Sequence, residues 1–114
     1  MTTTVSIKTC TTYDRNVIAA AVRDAVELVG GMSKFVRPGD RVLLKPNLLK
    51  AAPPEAAVTT HPEVLRAVIR LVYEAGGAVV VGDSPGIGDF RRICEITGIR
   101  EVVEEEGALL MDLN

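Results

Sequence analysis

Short apolar runs alternate with helical patterns along this chain. The strands predicted over Arg41–Lys45 and Ala78–Val81 contain continuous apolar runs, as in parallel strands that are covered on both faces. Apolar and polar residues alternate over Val5–Thr9, which predicts a first strand with one more polar face. Ala108–Leu113 is a last apolar run. The pattern therefore predicts four strands.

Helices are predicted between these strands, where apolar residues recur three and four positions apart. Asp14 can cap the first helix. Thr60 and Glu63 have the spacing of a capping box, which predicts that Thr60 caps the second helix. Two shorter helices are predicted over Phe90–Thr97 and Arg100–Glu106. The order of elements is therefore βαβ repeated, with two helices before the last strand.

This order predicts an α/β domain with three layers, in which helices cover both faces of a mainly parallel, four-stranded sheet. The expected architecture is Rossmann- or flavodoxin-like, with strand order 2-1-3-4. Residues 1–114 are expected to form a single α/β domain that is an amino-terminal fragment of a longer protein.

The composition excludes several classes of protein. The formal net charge is −2 and tryptophan is absent, which argues against a nucleic-acid-binding surface. No apolar run approaches the roughly 20 residues that span a bilayer. The first residues lack the pattern of a signal peptide. We therefore expect a cytoplasmic protein without nucleic-acid or membrane partners.

The two cysteines, Cys10 and Cys94, do not indicate a metal site. They form no CxxC pair, and an iron–sulfur cluster needs about four thiolate ligands. The simplest interpretation is two reduced thiols. No metal site and no resident cofactor are therefore predicted within this chain.

Three polar clusters lie just after apolar runs or at the start of the helix between them. If the runs are parallel strands, all three clusters are at the carboxyl edge of the sheet. Open α/β sheets bind ligands at this carboxyl edge. The clusters are Lys45 and Asn47 after the second strand, Thr59, Thr60 and His61 at the start of the second helix, and Asp83, Ser84 and Gly86 after the third strand. The sequence therefore predicts that these three segments converge.

Each cluster has a functional and a structural interpretation. Lys45 and Asn47 could bind an anion, or they could be a lysine that extends to water and an asparagine that shapes a turn. His61 is the single histidine and a candidate for proton transfer, as is Asp83. The glycine-rich loop after Asp83 could hold a phosphate, but it is neither a Walker loop nor GxGxxG. Both interpretations stay open from these residues alone.

In combination, these segments resemble the family named domain of unknown function 362. The similar pieces are VLLKPNLL (Val42–Leu49), TTHPEVLRAVIRLVYEAG (Thr59–Gly76) and VVVGDSPG (Val79–Gly86). The closing segment Ala108–Asn114 is also similar. Members of the family are longer, and many carry a ferredoxin-type module with four-iron four-sulfur clusters. The resemblance implies a redox-associated protein, with any such cluster in a partner module rather than in this chain.

Two functions are compatible with the sequence. In the first, the chain is part of an enzyme, such as an oxidoreductase, that binds an anionic small molecule or cofactor at the strand ends. Lys45, Asn47, Thr59, Thr60, Ser84 and Gly86 would bind the ligand, and His61 or Asp83 would move protons. In the second, the chain is a non-catalytic docking module that the remainder of the family domain or a ferredoxin-type module completes. No full catalytic constellation distinguishes the two.

Overall fold

The computed structural model describes residues 2–114 and contains one three-stranded parallel sheet. Its strands are β1 (Arg41–Leu44), β2 (Ala78–Asp83) and β3 (Leu109–Asp112), in the spatial order β1-β2-β3. The helices are α1 (Arg15–Glu27), α2 (Pro62–Glu74), α3 (Phe90–Ile96) and α4 (Ile99–Glu105), with 3-10 turns at Met32–Lys34 and Pro54–Ala56. The α/β class and the parallel sheet are therefore confirmed.

The strands are paired so that their carboxyl ends share one edge. Leu44 lies opposite Val81, and Asp83 lies opposite Asp112. Because the three strands point the same way, the segments that follow them all leave the sheet at this edge. The topology therefore brings the predicted polar clusters to one place.

The strand predicted at Val5–Thr9 is wrong for the described residues. This segment joins no ladder, and the side chains of Val5 and Ile7 are 77% and 84% exposed. Alternation of side chains cannot form a strand unless a neighbour satisfies the backbone groups. The predicted order 2-1-3-4 placed the first predicted strand between the second and the third. It is also wrong, because the second and third predicted strands, which are β1 and β2, pair directly with each other.

The prediction of helices on both faces of the sheet is also wrong for residues 2–114. Val42, Val79 and Val81 belong to or pack against the buried core, whereas Leu43 and Leu109 on the opposite face are exposed. The strands follow one another in a single direction across the sheet, so right-handed connections place their helices on the same face. Over the described residues, helices therefore lie on one face of the sheet, and the other face has no helical layer.

Helix α1 packs on α2 rather than on the sheet. Two arginine–glutamate pairs join the helices, Arg15–Glu63 at 3.1 Å and Arg23–Glu74 at 2.7 Å. Ile18 is the buried residue of α1. This contact positions the start of α1 beside the start of α2, near the carboxyl edge of the sheet.

Helices α2 and α4 are connected through Arg66, whose side chain is almost fully buried. Its guanidinium group lies 3.1 Å from Glu63, 3.1 Å from Glu105 and 2.8 Å from Glu106. Arg70 makes a second contact with Glu106 at 2.7 Å. Burial of a charge is tolerated only when partners compensate it, and here three carboxylates do so.

Gly82 permits the close approach of β2 to β3. A Cβ atom at this position would lie 2.8 Å from the carbonyl oxygen of Met111, a backbone atom that cannot move away alone. The strand was predicted to end at Val81, but it continues through Gly82 to Asp83. The ladder therefore carries the Asp83 side chain directly to the carboxyl edge.

The two longest helices, α1 and α2, have 13 residues each, which corresponds to about 20 Å of helix. In the described part of the chain no helix is both long and apolar enough to cross a membrane.

Candidate functional site

Lys45, Asn47 and Asp83 form a compact polar group at the carboxyl edge. The ammonium nitrogen of Lys45 donates to Asn47 Oδ1 at 2.7 Å and lies 3.0 Å from Asp83 Oδ1. Lys45 follows β1 and Asp83 ends β2, so neighbouring parallel strands bring them together. The predicted convergence of these two segments is therefore confirmed.

The Asp83 carboxylate is buried, with 3% of the residue exposed. Its Oδ2 accepts a short hydrogen bond from the backbone N–H of Leu48. Burial alone would raise the pKa of Asp83, but the Lys45 ammonium and the backbone N–H groups of Ser84 and Leu48 outweigh it, so the pKa is lowered. Asp83 is consequently ionised at neutral pH and fixes the loop that follows β1.

Asn47 has a left-handed backbone with φ of +56°. Asparagine adopts this conformation more readily than most residues. The turn it forms lets Lys45 and Leu48 both face Asp83. Asn47 therefore shapes the turn, which is the structural role considered for it from the sequence. Its Oδ1 also contacts Lys45.

Thr60 contacts the same loop, but it does not cap α2 as predicted. Its hydroxyl donates to the carbonyl oxygen of Pro46 at 3.1 Å. The N-cap is His61, because α2 starts at Pro62. Pro62 lacks an N–H and fits the first helical position, so its presence shifts the cap to the residue before it. The Thr60–Glu63 capping box is therefore wrong, although Thr60 does lie at the edge.

The His61 ring makes one hydrogen bond and one stacking contact. Its Nδ1 accepts the backbone N–H of Glu63 at 3.1 Å. Its ring stacks on Tyr13, with centroids 3.8 Å apart and planes 7° from parallel. A ring that accepts at Nδ1 carries its proton on Nε2. His61 thus combines the capping role with one ring nitrogen that the cap leaves free.

Three further predicted site residues differ in how they are placed. The Ser84 hydroxyl donates to Asn114 Oδ1 at 2.5 Å, just beyond the ends of β2 and β3. Gly86 lies in the exposed loop after β2, and a Cβ atom there would meet nothing within 4 Å. Thr59 precedes Thr60 and is half-buried. The structure brings Ser84 to the edge and leaves Gly86 in open solvent.

Sequence reasoning missed a cleft beside the end of β3. Phe90, Arg91, Arg100, Leu110 and Asp112 line a cavity of about 450 Å³. Arg100 pairs with Glu95 and Glu104, whereas Arg91 makes no ion pair with any other residue between 2 and 114. These residues form no sequence motif. An arginine in the first turn of a helix, such as Arg91, has the pattern of an ordinary surface residue.

Tyr13 was also missed. It precedes the cap of α1 and has no periodic or motif signal, yet it covers one face of the His61 ring. The contact arises because α1 starts beside α2, as the Arg15–Glu63 pair shows. Helix packing decides such a contact, and a single sequence does not reveal it.

An iron–sulfur cluster does not fit the residues of this chain. The two cysteines differ in setting, since Cys10 is exposed and Cys94 is buried. Burial raises the pKa of the Cys94 thiol to about 11, so it stays protonated and is a poor ligand. Over residues 2–114, His, Cys, Asp and Glu form no group of three that could hold a metal ion.

The edge can hold a polar ligand by hydrogen bonding and charge. An ammonium group has three N–H donors, and two of those of Lys45 face Asn47 and Asp83. The Lys45 side chain remains 53% exposed, so its third donor is accessible to solvent. The edge therefore presents one solvent-accessible ammonium donor beside a buried carboxylate.

Comparisons with known proteins bear on the family of the chain. The family model for Domain of unknown function (DUF362) matches residues 42–114, which include β1 from Val42 onward, β2, β3 and the edge residues from Lys45 to Asn114. Over 98 residues the chain is 46% identical to the Thylakoid-associated protein sll1697 of Synechocystis sp.. The match covers 86% of this chain but 30% of that protein, so the chain spans less than a third of its relative's length. No solved structure matches significantly. This chain therefore belongs to the DUF362 family.

Proposed function

We propose that this chain supplies a binding site for an anionic small molecule or cofactor at the carboxyl edge of its parallel sheet. The observation that supports the proposal is the direct contact of Lys45 with both Asn47 and Asp83. Thr60 contacts the same loop through Pro46. Three separate segments thus meet at the loop that carries the half-exposed Lys45.

Charge balance predicts the character of this site. Asp83 neutralises most of the charge of Lys45, so the ligand cannot rely on Coulomb attraction alone. Hydrogen bonds from Lys45 would have to contribute, with Asn47 orienting the lysine, and Ser84 would donate to the ligand only by giving up its bond to Asn114. The site should therefore prefer an anion with several acceptor oxygens over a simple monovalent ion.

We propose that His61 donates a hydrogen bond to the ligand from its Nε2–H, because its Nδ1 accepts the backbone N–H of Glu63. A ring held in this way has no free lone pair, so His61 would take up a proton only after its bond to Glu63 opens. Asp83 has a lowered pKa and two bonding partners, which suits a group that positions Lys45 rather than one that carries protons. The Tyr13 ring would keep the imidazole in a fixed plane.

The redox setting is part of the proposal, and the family resemblance is what supports it. A ferredoxin-type partner module would carry any four-iron four-sulfur cluster, because this chain has only two cysteines. The cytoplasmic location also stays a prediction. The Synechocystis relative is named as thylakoid-associated, so fractionation into soluble and membrane pools tests the location directly.

A chemical-shift titration of the labelled chain tests the binding site. Inorganic phosphate, pyrophosphate and a nucleoside triphosphate are added separately at constant ionic strength. We expect saturable shifts in residues 45–48, 60–61 and 83–84. Lys45→Gln should abolish the saturable component.

Lys50→Gln is the matched control, since Lys50 is an exposed lysine of the same loop. It should leave the shifts unchanged. If Lys45→Gln reduces folding, Lys45→Arg keeps the charge and should retain binding. Shifts that spread over the surface, or that respond equally to both glutamine variants, would show that no such site exists.

A further inference from the structure

The open face of the sheet carries an apolar row that nothing in residues 2–114 covers. Leu43, Val80 and Leu109 are aligned across the three strands. Leu43 is 52% exposed and Leu109 is 64% exposed, and Met111 on the same face is 44% exposed. Parallel sheets are normally covered by helices on both faces.

We propose that a crossover helix from the part of the longer family protein that lies outside this sequence covers this open face. The length of the Synechocystis relative supports this assignment, because the matched region accounts for only 30% of that protein. The remainder is long enough for many helices. The partner is thus a covalently attached, apolar helical layer. This inference does not depend on the anion site.

Topology predicts where that layer arises. Right-handed connections from β1 to β2 and from β2 to β3 place their helices on the covered face. A right-handed connection that runs back toward β1 must place its helix on the other face. The following strand would then pair with the free edge of β1. Such a reversal of direction is what defines a doubly wound sheet.

The edge of β1 is available for such a strand. β1 pairs with β2 on one side, and residues 2–13 form no ladder with its other side. An unpaired edge leaves backbone N–H and C=O groups without partners. The open face and the open edge are therefore adjacent and would be closed by one added helix followed by one added strand.

A second copy of this chain fits the open face less well. Three strands about 4.8 Å apart and four residues at about 3.3 Å each give a face on the order of 200 Å². A stable dimer usually buries roughly 800 Å² on each partner. A tethered helix needs less area, because its effective concentration is already high.

Thiol labelling tests the proposal. In a Cys10→Ser background, single variants Leu43→Cys and Leu109→Cys report on the open face, and Glu101→Cys on the outer surface of α4 is the control. Each is made in the 114-residue chain and in a fusion that continues after Asn114 with the residues following the match in the Synechocystis relative. We expect labelling at both face positions to slow by about tenfold or more in the fusion, with Glu101→Cys unchanged.

Equal labelling rates in the two proteins would overturn the proposal. So would protection of Leu43→Cys in the short chain that grows with its concentration, since that result assigns the face to a second copy. If the fusion does not fold, a cysteine is introduced into the intact relative at the position aligned with Leu43, and its labelling rate is measured instead. Rapid labelling there would reject a covering helix.

Discussion

The ammonium nitrogen of Lys45 lies 3.0 Å from Oδ1 of Asp83, and the backbone N–H of Leu48 donates to the other carboxylate oxygen. One buried carboxylate thus joins the end of β2 to the loop after β1. This contact fixes the geometry of the carboxyl edge.

Replacing the carboxylate should cost more than replacing the lysine. Asp83→Ala leaves the N–H of Leu48 unpaired and should lower the free energy of unfolding by about 2 kcal/mol. Lys45→Ala removes the half-exposed partner, but the buried carboxylate keeps the backbone N–H groups of Leu48 and Ser84, so we expect a smaller loss of about 1 kcal/mol. Urea unfolding of both variants measures the difference. A larger loss for Lys45→Ala would mean that the carboxylate is not the organising group.

Acid should destabilise the protein through three carboxyl groups. The pKa values of Asp83, Glu63 and Glu106 are all lowered in the folded chain. Hydrogen bonds from Arg70 and Arg66 lower that of Glu106, and contacts with Arg15 and Arg66 overcome the burial of Glu63. Lowered pKa values add stability that is complete above the ordinary values of 3.8 and 4.5 and is lost as the pH falls through the native ones.

Unfolding free energies at about pH 6, 4.5 and 3 check this pH dependence. The gap in stability between the unmodified protein and Asp83→Asn should be widest at the highest pH and shrink in acid. A gap that is constant or grows as the pH falls would contradict the assigned direction of the Asp83 shift.

Thr60→Ala should destabilise the protein through the loop rather than through the helix start. Its hydroxyl donates to the Pro46 carbonyl oxygen, and loss of one such bond costs about 1 kcal/mol. Thr60→Ser keeps the donor and should retain most of the stability. Thermal unfolding measures both, with Thr59→Ala as a neighbouring control. Equal losses for the alanine and serine variants would exclude the hydrogen bond as the cause.

Arg66 and Arg70 should differ strongly although both contact Glu106. The Arg66 side chain is 4% exposed, and Arg66→Met removes the buried cation that Glu63 and Glu106 share, leaving them only the half-exposed Arg15 and Arg70, which should cost about 3 kcal/mol. The Arg70 side chain is 48% exposed, so Arg70→Met should cost less than about 1 kcal/mol. Denaturant midpoints provide the comparison. Similar costs would show that burial does not control the strength of this network.

Sequence reasoning succeeded where local pattern and chain direction suffice. The helix after Thr60 and the strand at Arg41–Leu44 were predicted to within one or two residues. The convergence of the Lys45 and Asp83 segments followed from placing both after the ends of parallel strands, whereas the direct contact of the two side chains was not predicted. It failed at Thr60, where the fixed ring of Pro62 moved the cap to His61.

The sequence by itself determined the helices, the parallel strands and the edge at which the polar residues meet, because period, turn residues and strand direction are local properties. Only the tertiary structure decided that Val5–Thr9 has no strand partner and that one face of the sheet is open. It also decided that Tyr13 covers His61. Pairing and layering depend on which elements are present to contact one another, and no local pattern records that.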